Sequence, residues 1–126
     1  WFAHGVHFNA QEMYRIGAAG AGISHCPSSN MLLSSGICPI TRLSKASVAI
    51  GLGVDGSASN DHSNLAQEIR QAYLLQRLTN PEYSHLDALA MATSGGARLL
   101  HRPELGHLRP GAAADVAMFS TQGTAF

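Results

Sequence analysis

Three residues that can hold a metal or move a proton stand at the ends of apolar stretches. They are His4 after Trp1–Ala3, His25 near the end of the run at 22–26, and Asp55 after the run at 47–54. An ionised carboxylate closing a buried strand is costly unless paired, and a divalent cation is a natural partner. Asp55 is therefore a candidate metal ligand and general base. A turn or helix-capping aspartate is the plain alternative. His4 and His7 are three apart, which puts them on opposite faces of an extended strand. His4, at the strand end, is the candidate, and His7 is expected to pack or cap outside the site. His25 lies between Ser24 and Cys26. The zinc deaminase pattern H-x-E…P-C-x-x-C is absent, and adjacent strand residues face opposite ways, so a Cys–His nucleophile pair has no support. His62, His85, His101 and His107 are expected to face solvent. His101, after Leu100, could sit as a cation at a helix C-terminus.

Gly51, Gly53 and Gly56 fit G-x-G-x-x-G after a strand. A dinucleotide site needs a helix to open at that turn. Here the loop runs on to about Asn64, and Asp55 would repel a pyrophosphate. These glycines are expected to allow close packing and a tight turn around Asp55.

The elements that must position these residues read as strands alternating with helices. A short strand, Trp1 to Ala3, precedes a helix from Ala10 to Ala19 with Met13, Ile16 and Ala19 at helical spacing, broken by Gly20 and Gly22. Gly22 to Cys26 reads as a strand stopped by Pro27, and Ser28 to Gly36 as a polar loop. A short helix, Ile40 to Ala46, follows Pro39. Ser47 to Val54 is continuously apolar, as expected for a strand covered on both faces. Asp55 to Ser63 is a loop of turn-formers. Asn64 to Leu78 is the longest helix, with Leu65, Ile69, Ala72, Leu75 and Leu78 on one stripe. A helix from Asp87 to Leu100 and a return strand from Asp115 to Phe119 complete the pattern. This is an α/β arrangement with a parallel sheet, in which chemistry collects at the carboxyl ends of the strands.

The 126 residues carry 8 basic and 8 acidic side chains, which argues against a nucleic-acid module. Charged residues are 13%, against about 25% in typical soluble domains. That shortage suggests a piece of something larger. The 2 cysteines are too few for a disulfide framework and are expected to be reduced, buried thiols. No apolar run reaches the ~18 residues of a membrane span and no signal peptide opens the chain, so a cytoplasmic protein with no membrane partner is expected.

The stretches AHGVHF (3–8), SHCPSSNMLLSSGICPITRL (24–43) and GLGVDGSASNDHSNLAQEIRQAYLLQRL (51–78) resemble the amidohydrolase superfamily, in its deaminase and chlorohydrolase branch. Within the branch the chain is most similar to deaminases of the 8-oxoguanine type, with hydroxyatrazine-type hydrolases and S-adenosylhomocysteine and guanine deaminases as neighbours. The resemblance implies a distorted (β/α)₈ barrel with one catalytic divalent metal, zinc before iron. It places residues 1–104 in the C-terminal part of that barrel, strands six to eight. Residues 105–126 (GHLRPGAAADVAMF within them) would begin a small β-sandwich domain.

By the same resemblance, Asp55 is the strand-eight aspartate that binds metal and handles a proton. His4 is the strand-six histidine beside the attacking water and the substrate. His25, Ser59 and Asn60 would line the pocket of a small heterocyclic substrate. The family's strand-one His-x-His pair and strand-five histidine have no counterpart here, and Asp55 and His4 alone fall short of the three or so protein ligands that catalytic zinc needs. The remainder of a longer enzyme chain is thus expected to supply the other ligands. The implied reaction is attack of metal-activated water on the ring carbon bearing an amine, with loss of ammonia. A dechlorinating or N-dealkylating hydrolase, a non-catalytic binding module and a nucleotide-binding domain are the alternatives. Self-association into a homo-oligomer is left open.

Overall fold

The computed structural model describes residues 1–120. Three strands, β1 (Phe2–Ala3), β2 (Gly22–His25) and β3 (Ala49–Leu52), form a parallel sheet in the order β1-β2-β3. In register, Ile23 of β2 pairs with Phe2 of β1 and with Ile50 of β3. Parallel neighbours demand a crossover between them, and helices provide it.

Helix α1 (Ala10–Ala18) opens on a capping box. The Asn9 side chain accepts from the Glu12 amide at 3.0 Å, and the Glu12 carboxylate accepts from the Asn9 amide at 2.8 Å. Its buried Met13 and Ile16 meet Ile23, Leu43, Val48 and Ile50 in the core. Helix α3 (Ile40–Lys45) contributes Ile40 and Leu43 to the same cluster.

The segment after Pro27 departs from the expected loop. Residues Pro27–Leu32 form a helix, α2, and Pro27 takes the first helical position, where its missing N–H and fixed φ cost nothing. The strand expected over 47–54 is shorter in the ladder, because Ser47 at φ 60° terminates α3 and the chain leaves the sheet after Leu52.

Helix α4 (Leu65–Arg77) is capped by the Asn64 side chain, which accepts from the amides of Ala66 and Gln67. Its buried face is Glu68, Ala72, Leu75 and Gln76. The expected stripe is rotated at both ends: Leu65 is 39% exposed and Leu78 is 75% exposed.

The last helical stretch is three pieces. Helix α5 (His85–Ala90) starts from a Ser84 capping box with Asp87, a widened π-turn follows at Met91–Gly95, and α6 (Gly96–Leu99) completes it. The widened turn lies against β3, where a Cβ on Gly95 would stand 2.3 Å from the Ile50 carbonyl oxygen, so only glycine fits.

The return strand expected at Asp115–Phe119 does not form. Those residues are coil, with Val116, Met118 and Phe119 all exposed. A strand with no neighbour has no ladder to complete its backbone hydrogen bonds. The remainder of the expected β-sandwich start, residues 121–126, lies outside the described residues. Among the described residues no helix is long and apolar enough to cross a membrane.

Candidate active site

The carboxyl ends of the strands converge on two residues with left-handed backbones, His4 at φ 65° and Asp55 at φ 64°. Among the described residues three other non-glycine residues share that conformation, Ser34, Ser47 and His101, but each stands just past the C-cap of a helix, where such a turn is ordinary. His4 and Asp55 follow strands. Non-glycine residues held there cost of order 1–3 kcal/mol each, and persist where the surrounding structure over-determines them.

The surroundings do so here. The His4 amide donates to the Ser24 carbonyl at 2.8 Å, extending the β1–β2 ladder past its last paired residue. The His4 ring is held from both sides. Nδ1 lies 2.9 Å from Asn30 Oδ1, and Nε2 lies 3.6 Å from Asp55 Oδ2. Strands β1 and β3, which flank β2, thus deliver an imidazole and a carboxylate to one point.

Asp55 Oδ2 also receives hydroxyls. Ser29 Oγ donates to it at 2.5 Å, and Ser59 Oγ lies 3.2 Å from it and 2.8 Å from Ser29 Oγ. The Ser29 hydroxyl first, then the Gly56 backbone N–H, hold the Asp55 carboxyl below the usual aspartate range, with Ser59 and His4 adding to the effect. The group is therefore an anion at neutral pH, with its charge already directed by donors.

Behind Asp55 lies a buried polar layer. Asn60 Nδ2 donates to the Val54 carbonyl at 2.8 Å and to Glu68 Oε1 at 2.9 Å. The Ser28 amide donates to Glu68 Oε2 at 3.1 Å. Both amide hydrogens of Asn60 are thus engaged within the protein, and Asn60 serves as a strut of the loop. Ser59 meets Asp55 itself.

His25 is fully buried and shares a strand face with Ile23 of the core, two residues away. Among the described residues neither ring nitrogen has a hydrogen-bond partner. Burial lowers its pKa from 6.5 to about 4, with the nearby His4 contributing. It is a neutral ring close to the site. His62, His85 and His101 are exposed, as expected; His7, expected to pack or cap, is exposed as well, and His107 is half-buried, its Nδ1 bonding the Leu105 carbonyl at 2.9 Å.

Cys26 and Cys38 are free, buried thiols, and burial pushes both upward, Cys38 to about 12. The G-x-G-x-x-G stretch serves packing at two of its positions. A Cβ on Gly53 would stand 2.5 Å from Ser24 Oγ, and one on Gly51 3.0 Å from Leu99 Cδ2. No helix opens there, since α4 begins at Leu65.

Sequence reading missed Ser29, Asn30 and Glu68. The first two follow Pro27 directly, and a proline beginning a helix was the available signal. Glu68 gave none, because an acidic residue in a first helical turn is ordinarily exposed.

A metal site would draw on Asp55 and His4. Among the described residues no three His, Cys, Asp or Glu side chains gather in a group that could hold a metal ion. The donors present therefore fit one side of such a site.

The amidohydrolase family matches residues 1–125 of the chain. The chain is 58% identical over 125 residues to 8-oxoguanine deaminase of Pseudomonas aeruginosa PAO1, covering 94% of this chain and 27% of that protein. It is 48% identical over 120 residues to hydroxydechloroatrazine ethylaminohydrolase of Pseudomonas sp. strain ADP, covering 91% of this chain and 25% of that protein. In three dimensions it resembles the zinc-complexed atrazine chlorohydrolase of Arthrobacter aurescens TC1, with a TM-score of 0.83 at 37% identity, over 90% of this chain and 26% of that one. The chain spans about a quarter of the length of these proteins. With its parallel sheet and its His–Asp pair at the strand ends, the chain belongs to the amidohydrolase family.

Proposed function

We propose that this chain forms strands six to eight of a (β/α)₈ barrel and carries the His–Asp edge of a metal-dependent hydrolytic deaminase. The substrate class is an aminated purine-like heterocycle, first of all 8-oxoguanine, which with water gives urate and ammonia. The observation that carries this reading is the approach of His4 Nε2 to Asp55 Oδ2 at 3.6 Å, each on a constrained backbone at a strand end. Identity to a deaminase of that substrate supports the choice within the class.

Asp55, an oriented anion, would be one of the ligands holding a divalent metal, zinc in the first instance, and accepts the proton of the attacking water. His4 hydrogen-bonds the oxygen on which charge develops. Ser29 and Ser59 hold Asp55 in place, while His25, neutral and buried, forms part of the wall beside His4. The remaining metal ligands come from the rest of a longer chain, and that ion supplies Lewis-acid activation of water when bound. A triazine hydrolase that removes an alkylamine or chloride is the second reading, favoured by the relatives that act on such compounds.

The test is turnover by the whole protein carrying this chain, read as ammonia released from 8-oxoguanine, guanine and S-adenosylhomocysteine and as alkylamine or chloride released from a hydroxylated and a chlorinated triazine. Turnover of 8-oxoguanine with formation of urate is expected. Turnover of a triazine alone would move the assignment to the second reading, and no turnover of any of them would overturn both.

A further inference from the structure

Glu68 is only 1% exposed, in the first turn of α4. A carboxylate in such a place is costly unless its oxygens are matched. Here they are. The Ser28 amide donates to one oxygen at 3.1 Å and the Asn60 side chain to the other at 2.9 Å. Helix α2 has no side-chain cap from its own N-cap residue, Cys26. Its first-turn Ser28 N–H would otherwise be an orphan donor, and Glu68 satisfies it from another helix.

The two anchored residues are the chain neighbours of the two hydroxyls that meet Asp55. Ser28 precedes Ser29, and Asn60 follows Ser59. Asn60 also holds the carbonyl of Val54, the residue just before Asp55. Each oxygen of Glu68 thus fixes one arm of the frame around the aspartate. We propose that Glu68 is the positioning residue of this site, setting the Ser29–Ser59 hydroxyl pair against Asp55 without touching it. The assignment rests on the reading of Asp55 as the proton-handling carboxylate.

The chemistry makes the substitution informative. Both partners of Glu68 are N–H donors. Glutamine keeps the shape but replaces one acceptor oxygen with an amide donor, so one tie must break. Aspartate restores both acceptors on a stem one methylene shorter.

The experiment uses NMR on the whole protein carrying this chain at pH 7, with serine and aspartate selectively labelled, reading Ser28 amide exchange and the Asp55 side-chain carboxyl resonance. In Glu68→Gln the amide should exchange on the order of tenfold faster, as one charge-assisted bond is lost. The Asp55 resonance should move toward its position in Ser29→Ala, and Glu68→Asp should bring it part of the way back. Glu82→Gln, at an exposed acid outside this frame, should move neither. An unmoved Asp55 resonance in Glu68→Gln, with only a lowered melting temperature, would overturn the proposal. Should Glu68→Gln fail to fold, Glu68→Asp decides alone: a displaced Asp55 resonance is expected, and an unmoved one would overturn the proposal. In the whole protein, Glu68→Gln should lower kcat about tenfold with KM within about twofold, and an unchanged kcat would count against the proposal. If the wild type releases no ammonia while the resonances respond as expected, the deaminase reading fails and the positioning of Asp55 by Glu68 stands.

Discussion

Acid should destabilise this protein through His25. Burial, with a smaller contribution from His4, holds the folded-state pKa at about 4, against 6.5 for an unhindered ring. The unfolded chain therefore binds more protons between pH 6.5 and about 4, and unfolding becomes easier as pH falls through that window. A gap of about 2.5 units corresponds to about 3 kcal/mol, fully lost only below both values. Asp55 and Asp87 are held below 3.8 in the fold, so their stabilising effect is lost at still lower pH and does not mask that of His25. The perturbation is His25→Leu. Because neither ring nitrogen has a partner, leucine forfeits no hydrogen bond. Near pH 7.5 the variant should lie within about 1.5 kcal/mol of the wild type. Urea titrations followed by circular dichroism, from pH 7.5 to 4, give the two stabilities. The wild type should lose about 3 kcal/mol more than His25→Leu over that range. Parallel losses in the two proteins would refute the reasoning, since His25 would then be protonated in the fold or already satisfied by a partner.

Four further outcomes are expected. Ser29→Ala should raise the Asp55 pKa toward the ordinary aspartate range, because the Ser29 hydroxyl is the first cause of its depression; an unmoved carboxyl titration by NMR would contradict the geometry. Gly53→Ala should destabilise by about 1–3 kcal/mol, since its Cβ would meet Ser24 Oγ at 2.5 Å; calorimetry measures it, and titration of the wild type with NAD should give no heat. Cys38, with its thiol at about 12 and no exposed surface, should react with an aromatic disulfide reagent only at the rate of unfolding.

The chemistry of the site was more legible than its scaffolding. His4 and Asp55 stood out because a titratable residue ending an apolar run has few ordinary uses, and the structure brings the two together. Parallel β-α alternation was equally plain, as apolar runs at 22–26 and 47–54 could only be strands between helices. Ser29 and Asn30 were hidden by an assignment of 28–36 to a loop, although Pro27 marked a helix start. Glu68 was hidden by the polarity of its type. Its burial depends on Ser28 and Asn60, far apart in sequence, and no local pattern encodes that meeting. The strand expected at 115–119 had the right composition but finds no partner strand among the described residues, and composition alone cannot supply a ladder.

The most direct test of the account is zinc content and ammonia release from 8-oxoguanine, measured on the whole protein carrying this chain and on its Asp55→Ala variant. The account predicts about one zinc per wild-type chain with formation of urate, and loss of both in Asp55→Ala. A variant that keeps its zinc and its full rate would contradict the central role given to Asp55.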